Sequence, residues 1–360
     1  MIATIVLFIV ILSILVLVHE LGHYVVGRWA KAGIEEFAIG FPPRIWSVRR
    51  NNIDYSINAI PLGGYVRFSG EDNPDVPGGL ANLPRTKRAL VLVAGVTMNF
   101  LLAIVLFAVV FATGYPTAVP IDGAKIASVT SGSPAEQVGL KPGDIVLSVN
   151  GQATSQMDAF GAAVRLHVGE QIALAVQRAD GQLETVNVVP RTNPPAGEGP
   201  LGVGIGQATI TAKRTYSLPQ ALWKGAQQTW QAIVMTLSVP VMIVRGAIPI
   251  ELARPVGPVG ITRIVGSATD AIPALGFAPI LQLMALLSVS LAVVNILPLP
   301  GLDGGRLAFV FVEWLRRGKR INPEREAVIH FAGLMLLFGL MIVITYFDIV
   351  SPAPPVIWGP

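Results

Sequence analysis

The sequence predicts a polytopic α-helical membrane protein with about four transmembrane helices, a membrane-associated β-hairpin region and an inserted α+β domain. Hydrophobic residues make up 52% of its 360 residues and charged residues only 13%, a balance typical of membrane proteins. Several long apolar stretches recur along the chain, whereas residues 116–206 have the short strands and turn residues of a water-facing domain.

The composition excludes two classes of site. The chain has no cysteine, so it can form neither a disulfide framework nor a thiolate-ligated metal site. The net charge is +4, but the basic residues cluster beside apolar stretches and do not form one basic face. We therefore expect no nucleic-acid partner, and any metal must be held by histidine and carboxylate.

The first predicted span covers residues 1–30. Met1 to Val18 carries no charge and lacks the basic start of a cleaved secretory signal, so we interpret it as a retained transmembrane helix. Basic residues follow the span and by the positive-inside rule predict an amino terminus on the outer side; they are Arg28, Lys31, Arg44, Arg49 and Arg50.

This span contains the sequence His19-Glu20-Leu21-Gly22-His23. On a helix, residues four apart share one face, so His19 and His23 can hold one Zn²⁺ while Glu20 lies beside it as a general base. That pattern is typical of metalloproteases. The alternative is two interfacial histidines and a glutamate that reaches toward water, but ionisable residues inside a span are costly and usually functional.

Residues 31–84 are predicted to form a β-hairpin and a strand-like loop on the cytosolic side. Ile45–Arg50 and Ile53–Ile60 form strands around the turn Asn51-Asn52. The glycine-rich stretch from Pro61 to Phe68 is strand-like and could hold an extended substrate through its main chain. A plain cytosolic hairpin is the alternative.

Residues 85–114 form the second predicted span, which Arg85, Lys87 and Arg88 anchor on the cytosolic side. Gly95 and Asn99 share a face of this helix. A single Asn in an apolar helix is often only an interhelical hydrogen-bonding group.

Residues 116–206 are predicted to form a domain on the outer side. Ser133-Pro134-Ala135-Glu136 predicts a capped helix start, and a second helix is expected from about Gln156 to His167. The run from Ser133 to Gly151 closely resembles a PDZ domain, and such domains bind peptide termini by strand addition. The predicted strands are Ile145–Val149, Ile172–Arg178 and Leu183–Val189.

Charged residues and prolines mark the boundaries of the predicted segments in the remaining chain. Residues 207–277 are predicted to form an interfacial helical segment, because Tyr216 to Arg245 contains Pro240 and topology leaves no crossing there. The third span, residues 278–305, should run parallel to the first so that Asp303 reaches the depth of the two histidines. A basic cytosolic loop (306–326), a fourth span (327–348) with an interfacial His330, and an outer tail (349–360) follow.

Pro298, Pro300 and Gly301 should end the third helix just before Asp303. Broken backbone at membrane depth is tolerated where it is buried in protein or faces a water-filled cavity, and hydrolysis needs such a cavity. An interfacial turn at a helix end is the alternative.

Together, His19-Glu20-Leu21-Gly22-His23 and Leu302-Asp303-Gly304 resemble the site-2 protease family of intramembrane zinc metalloproteases. The likeness is greatest to the bacterial regulator-of-sigma-E protease branch, here with one PDZ domain. It implies zinc on His19, His23 and Asp303, and Glu20 as general base. It also implies a membrane-entering β-loop within residues 31–84, around Gly63 to Phe68. The substrate-binding residues that it implies are Asn99, Asn295, Pro298, Pro300, Gly63, Gly64, Tyr65 and Val66, although Val96 stands where that branch commonly has Pro.

The resemblance further implies cleavage within single-span membrane proteins, such as anti-sigma factors or remnant signal peptides, in the bacterial inner membrane. The PDZ domain would take a peptide or protein ligand on the periplasmic side, and the active site would lie toward the cytosol. Two alternatives remain, a catalytically idle PDZ scaffold and a metal-binding transporter. The scaffold would be expected to lack Glu20 or a ligand, and all four residues are present.

Overall fold

The computed structural model of the protein describes residues 2–71, 73, 75–154, 157–178, 180–248, 254–354, 356 and 358. The helices in these residues are α1 (Ile2–Ala30), α2 (Arg85–Thr113), α3 (Pro134–Gln137), α4 (Met157–Leu166), α5 (Leu218–Val244), α6 (Pro258–Asp270), α7 (Ile272–Leu275), α8 (Ala278–Ile296), α9 (Asp303–Leu315) and α10 (Pro323–Val350). The strands are β1 (Ile34–Arg50), β2 (Ile53–Phe68), β3 (Tyr115–Val129), β4 (Ile145–Val149), β5 (Gln152–Ala153), β6 (Ile172–Gln177), β7 (Leu183–Val188) and β8 (Val203–Arg214).

Four of the described helices are long and apolar enough to cross a membrane, namely α1, α2, α8 and α10. They lie where the sequence predicts spans, so that prediction is confirmed. The chain divides into two compact units. The first combines the chain up to Tyr115 with the chain from Arg214 onward, and the second is Pro116–Lys213.

Helices α1 and α8 run in parallel, as the sequence predicts. Ile11 and Leu15 of α1 share an apolar cluster with Ile280 and Leu283 of α8, and later residues of both helices line one cavity. Helix α2 runs antiparallel to α1, because His23 contacts Val91 near the start of α2, whereas His19 contacts residues further along it. The two antiparallel helices therefore place the histidine pair against one face of α2.

The strands β1 and β2 form a more elaborate sheet than a simple hairpin. Asn51 and Asn52 have positive φ values of 51° and 62° and form the predicted turn. The first part of β1 pairs with both halves of β2, since Phe37 lies opposite both Tyr55 and Val66. The second part of β1 pairs with the first half of β2 on its far side. Residues 64–68 therefore form an edge strand, and no described strand pairs with their outer side.

The buried side chain of Glu36 connects different parts of β1 and β2. Its side chain is 1% exposed, accepts a hydrogen bond from Ser56 at 2.8 Å, and forms ion pairs with Arg44 and Arg67. Desolvation raises the pKa of the Glu36 carboxyl, but hydrogen bonds from Ser56 and Tyr65 outweigh it and hold the pKa below its usual value. Glu36 is therefore a charged acceptor that fixes Tyr65 and Arg67 of the edge strand.

The second unit is an α+β domain. Its described strands form a sheet in the order β7-β6-β4-β3-β8, with β5 paired to β4. The predicted strands and turns are confirmed, and Ser133 accepts a hydrogen bond from the Glu136 N–H at 3.3 Å, as its capping role requires. Helix α4 begins at Met157, while the predicted start at Gln156 lies outside the described residues. The sequence did not predict β3 and β8, since they pair with strands distant in the chain, nor β5, which has two residues and pairs with β4 across the turn at Asn150-Gly151.

Two segments of the first unit differ from expectation. Helix α5 was predicted to lie at the interface, but its contacts run along α2: the Tyr216 N–H donates to the Phe111 carbonyl, and Gly225 packs on Ile104. The first half of α5 therefore lies beside α2. The first part of the predicted loop 306–326 belongs to α9, which ends at Leu315. Its apolar residues are spaced to lie on one face of a helix, so this part folds as an amphipathic helix despite its charges.

We expect Glu36→Ala to destabilise the first unit by about 1–3 kcal/mol, because it leaves Ser56 and two arginines without their shared acceptor. Thermal unfolding of the purified protein in detergent measures this. Glu35→Ala is the matched control: its side chain is half exposed and has one ion pair, with Arg67 at 3.1 Å, so its loss should be about 0.5 kcal/mol or less. Equal losses for the two variants would contradict a central role for Glu36.

Candidate metal centre

Three ligand atoms from distant parts of the chain converge on one point. His19 Nε2 lies 2.9 Å from Asp303 Oδ2, His23 Nε2 lies 3.2 Å from the same oxygen, and the two nitrogens are 3.2 Å apart. A tetrahedral zinc with bonds of about 2.0–2.1 Å places its ligand atoms about 3.3 Å apart. The two histidines and the aspartate therefore fit zinc in number, type and spacing.

A glycine on α2 leaves room for the two imidazoles where α1 and α2 pack closely. A Cβ on Gly95 of α2 would lie 2.4 Å from His23 Nε2, so only glycine allows α2 to approach the histidine pair. Gly22 of α1 likewise faces the Ala94 carbonyl. The carbonyl of Val91 accepts a hydrogen bond from His23 Nδ1 at 2.8 Å, which leaves Nε2 as the metal-binding nitrogen.

Asn99 orients the other histidine. Its Nδ2 lies 3.3 Å from His19 Nδ1, while its Oδ1 is buried with no hydrogen-bond partner among the described residues. Metal binding through Nε2 requires the proton to be on Nδ1, and turning the Asn99 amide over lets Oδ1 accept a hydrogen bond from that N–H. The orphaned oxygen therefore fits a metal-bound His19. Asn99 is fully buried and lies on the Nδ1 side of the His19 imidazole.

Asp303 reaches the histidines because the chain breaks between α8 and α9. Helix α8 ends at Ile296 and α9 starts at Asp303, where the sequence predicts the break. A Cβ on Gly304 would lie 2.1 Å from the Leu297 carbonyl, so the start of α9 can lie against the end of α8 only with glycine there. The Gly301 N–H donates to His330 Nδ1 at 2.9 Å, which ties the connecting turn to α10.

Glu20 lies beside the three ligands and contacts the edge strand. Its Oε2 accepts a hydrogen bond from the Val66 N–H at 3.0 Å. Two turns earlier on α1, Ser13 Oγ donates to the Pro61 carbonyl at 2.6 Å and accepts from the Gly63 N–H at 3.3 Å. One face of α1 therefore holds both ends of the strand from Pro61 to Val66.

A cavity of about 190 Å³ adjoins the ligands. Asn295 lines it together with His19, Glu20 and Asp303. Pro298 and Pro300 do not line it: Pro298 lies in a separate cavity, and Pro300 packs against Gly333 of α10. Of the residues predicted to bind substrate, Asn295 therefore lines the cavity, Asn99 contacts the ligand His19, and the Val66 N–H contacts Glu20. The Tyr65 ring stacks on Phe41.

Sequence reasoning missed two residues that hold this site in place. No motif in the sequence includes Ser13, and the sequence predicts an interfacial histidine at His330, yet both side chains bond to main-chain atoms beside the site. Each is an isolated polar residue in an apolar stretch, which is the only signal the sequence offers. Their partners lie 48 and 29 residues away in the chain, so local pattern could not identify them.

Comparison with known proteins agrees with this site. The model of the family described as Peptidase family M50 matches residues 7–340. The zinc metalloprotease RasP of Oceanobacillus iheyensis is 32% identical, over 96% of this chain and 98% of its own. Provisionally named zinc metalloproteases of Clostridium acetobutylicum and Nostoc sp. are 31% and 35% identical, over 97% and 92% of this chain and over 98% and 92% of their own.

We expect Asp303→Ala to lower zinc affinity by at least about hundredfold, because even the loss of a residue that only supports a ligand costs about 10–100-fold. Zinc content after dialysis of the purified protein, measured by mass spectrometry of the metal, tests this. Glu20→Gln is the control and should keep its zinc, since Glu20 is not among the three converging ligands. Full zinc in Asp303→Ala would exclude Asp303 as a ligand.

Proposed function

The chain belongs to peptidase family M50, the site-2 protease family, and on that basis we propose that it hydrolyses peptide bonds within transmembrane segments of single-span membrane proteins. Its relatives are named zinc metalloproteases, and its apolar helices are those of an integral membrane protein. One observation supports the proposal most strongly: the ligands lie on α1 and just beyond α8, which are both candidate membrane spans.

His19, His23 and Asp303 would hold the zinc ion. Bound zinc supplies a Lewis acid that lowers the pKa of water and polarises a peptide carbonyl. Glu20 then accepts a proton from the attacking water and returns it to the leaving amine. The Val66 N–H, bonded to Glu20 Oε2, holds the carboxylate toward the ligands. The cavity beside Asn295 provides room for the water molecule.

The edge strand would bind the substrate in extended form. The Val66 N–H points to Glu20 and therefore away from β1, so the outer side of this strand faces the metal site. A substrate helix hides its carbonyl groups in hydrogen bonds and must unwind before it can be cut. Pairing with residues 63–66 would replace the hydrogen bonds that the substrate loses on unwinding.

The second unit would bind a peptide terminus in the manner of a PDZ domain. Strand β8 lies at an edge of the sheet, where a further strand can add. A cavity of about 170 Å³ separates the start of β8 from α4, and Phe160, Val164 and Ile205 contribute apolar walls. A groove between an edge strand and a helix is suited to an extended peptide with an apolar end.

We propose that the protein belongs to the regulator-of-sigma-E protease branch of the family. Its substrates would then be anti-sigma-like proteins already trimmed outside, or remnant signal peptides. The basic residues after α1 and α9 support an inner-membrane orientation in which the amino terminus and the second unit are periplasmic. The second unit would screen substrates by the bulk of their outer part.

We expect purified wild-type protein in detergent to cut a tagged single-span model substrate within its transmembrane segment. Glu20→Gln should keep zinc and lose activity by at least about a hundredfold, because it removes the proton acceptor. A chelator should also stop cleavage. Gel analysis and mass spectrometry of the products measure the rate and the bond. If Glu20→Gln cuts as fast as wild type, the proposed mechanism is wrong.

We expect Ser13→Ala to slow cleavage about tenfold, mainly through a higher KM, because the main chain at Pro61 and Gly63 loses its partner and the edge strand is less well placed. Ser13→Thr keeps the hydroxyl and should restore most of the rate. Thermal unfolding of wild type and the two variants shows whether a slower rate reflects lower stability. Equal rates for Ser13→Ala and Ser13→Thr would show that the hydroxyl does not position the strand.

A further inference from the structure

A second, larger cavity is separate from the one beside the metal ligands. Its volume is about 510 Å³, within the range of about 300–1,000 Å³ that is common for small-molecule sites. It lies between the first turn of α2, the end of α8 and one face of α9. Its walls are almost wholly apolar and include Ala89, Ile296, Leu307 and Phe311. None of its lining residues lines the cavity beside Glu20.

One charged group lies in this apolar wall. Arg85 is half buried, and its side chain has no hydrogen bond or ion pair with any residue that the structure describes. The other basic residues of the same helix turn have partners: Lys87 donates to the Ala30 carbonyl at 3.3 Å, and Arg88 pairs with Glu313 at 2.6 Å. Arg85 is therefore the cation available to a ligand in this cavity.

The cavity lies where a membrane-spanning helix starts. Arg85 is the first residue of α2, and Trp314 at the end of α9 is 63% exposed, as expected of an aromatic residue at a membrane interface. Further basic residues follow directly after α9, and clusters of this kind attract anionic lipids; they are Arg316, Arg317, Lys319 and Arg320.

We propose that this cavity binds an anionic phospholipid, with an acyl chain between α2, α8 and α9 and the headgroup phosphate on Arg85. A peptide would bring main-chain polar groups that these apolar walls cannot satisfy, whereas an acyl chain has none. A free phosphate would leave the apolar cavity unfilled. Arg85 at the membrane boundary matches the anionic headgroup of a lipid, and the apolar cavity beside it matches an acyl chain.

The bound lipid would support the metal site indirectly. Pro298 and Gly304 line the cavity, and they flank the turn that leads to Asp303. An acyl chain in contact with both would fill the space behind this turn and restrict its movement. The lipid is thus a structural ligand of the segment that carries Asp303, and its binding does not depend on which substrate the protein cuts.

Native mass spectrometry of the full chain with equal amounts of phosphatidylglycerol and phosphatidylcholine tests the proposal. Wild type should retain phosphatidylglycerol in preference. Arg85→Gln should lower that preference about fivefold, the effect expected for one juxtamembrane cation. Arg317→Gln removes an exposed cation outside the cavity and is the matched control, with an expected change of less than about twofold.

A second variant tests the apolar part. Ala308→Trp fills the cavity and should abolish lipid retention, and size-exclusion chromatography shows whether the variant remains folded. Glycerol phosphate, which carries the anionic group without acyl chains, should not displace the lipid. Equal effects of Arg85→Gln and Arg317→Gln, retention by folded Ala308→Trp, or displacement by glycerol phosphate would each overturn the proposal. The Arg85→Gln comparison alone decides the matter if Ala308→Trp fails to fold.

Discussion

Polar groups at membrane depth must find partners inside the protein, and most features of the first unit follow from this constraint. Lipid offers no hydrogen bonds, so a strand beside α1 or a break after α8 is stable only when protein groups satisfy its main chain. Ser13 does this for the strand at Pro61 and Gly63, and His330 does it for Gly301. Ser13 therefore also positions the strand that contacts Glu20, and His330 also positions the turn that leads to Asp303.

Close approach of the helices is the second requirement. Metal ligands from α1 and from the start of α9 meet only because Gly95 leaves room for the imidazoles and Gly304 lets α9 lie against the end of α8. Each histidine ligand then has a partner that fixes its orientation: the Val91 carbonyl for His23 and the Asn99 amide for His19. The centre is thus built from small residues that allow contact and polar residues that set the tautomers.

Local pattern predicted a large part of this structure. The spans follow from apolar length, the histidine pair from helical spacing, and the break before Asp303 from Pro298 and Gly301. The prediction failed where contacts are distant in sequence. The first part of β1 lies between two halves of β2, and strand β8 joins β3, so neither has a local signature. The first part of the predicted loop 306–326 is helical up to Leu315, because α9 has an apolar face that a count of charges does not reveal.

The contact between Val66 and Glu20 would link the proposed substrate recognition to catalysis. The N–H of Val66 lies on the outer side of the edge strand, and it already bonds to the carboxylate that would accept the proton. A substrate that pairs along this side must pass next to Glu20, so the strand that orders the substrate also aligns the carboxylate with the scissile bond. Main-chain pairing selects extended segments over helical ones, whatever their side chains. With the substrate bound as proposed, selectivity at this site would depend first on how readily a transmembrane segment unwinds, and only then on its sequence.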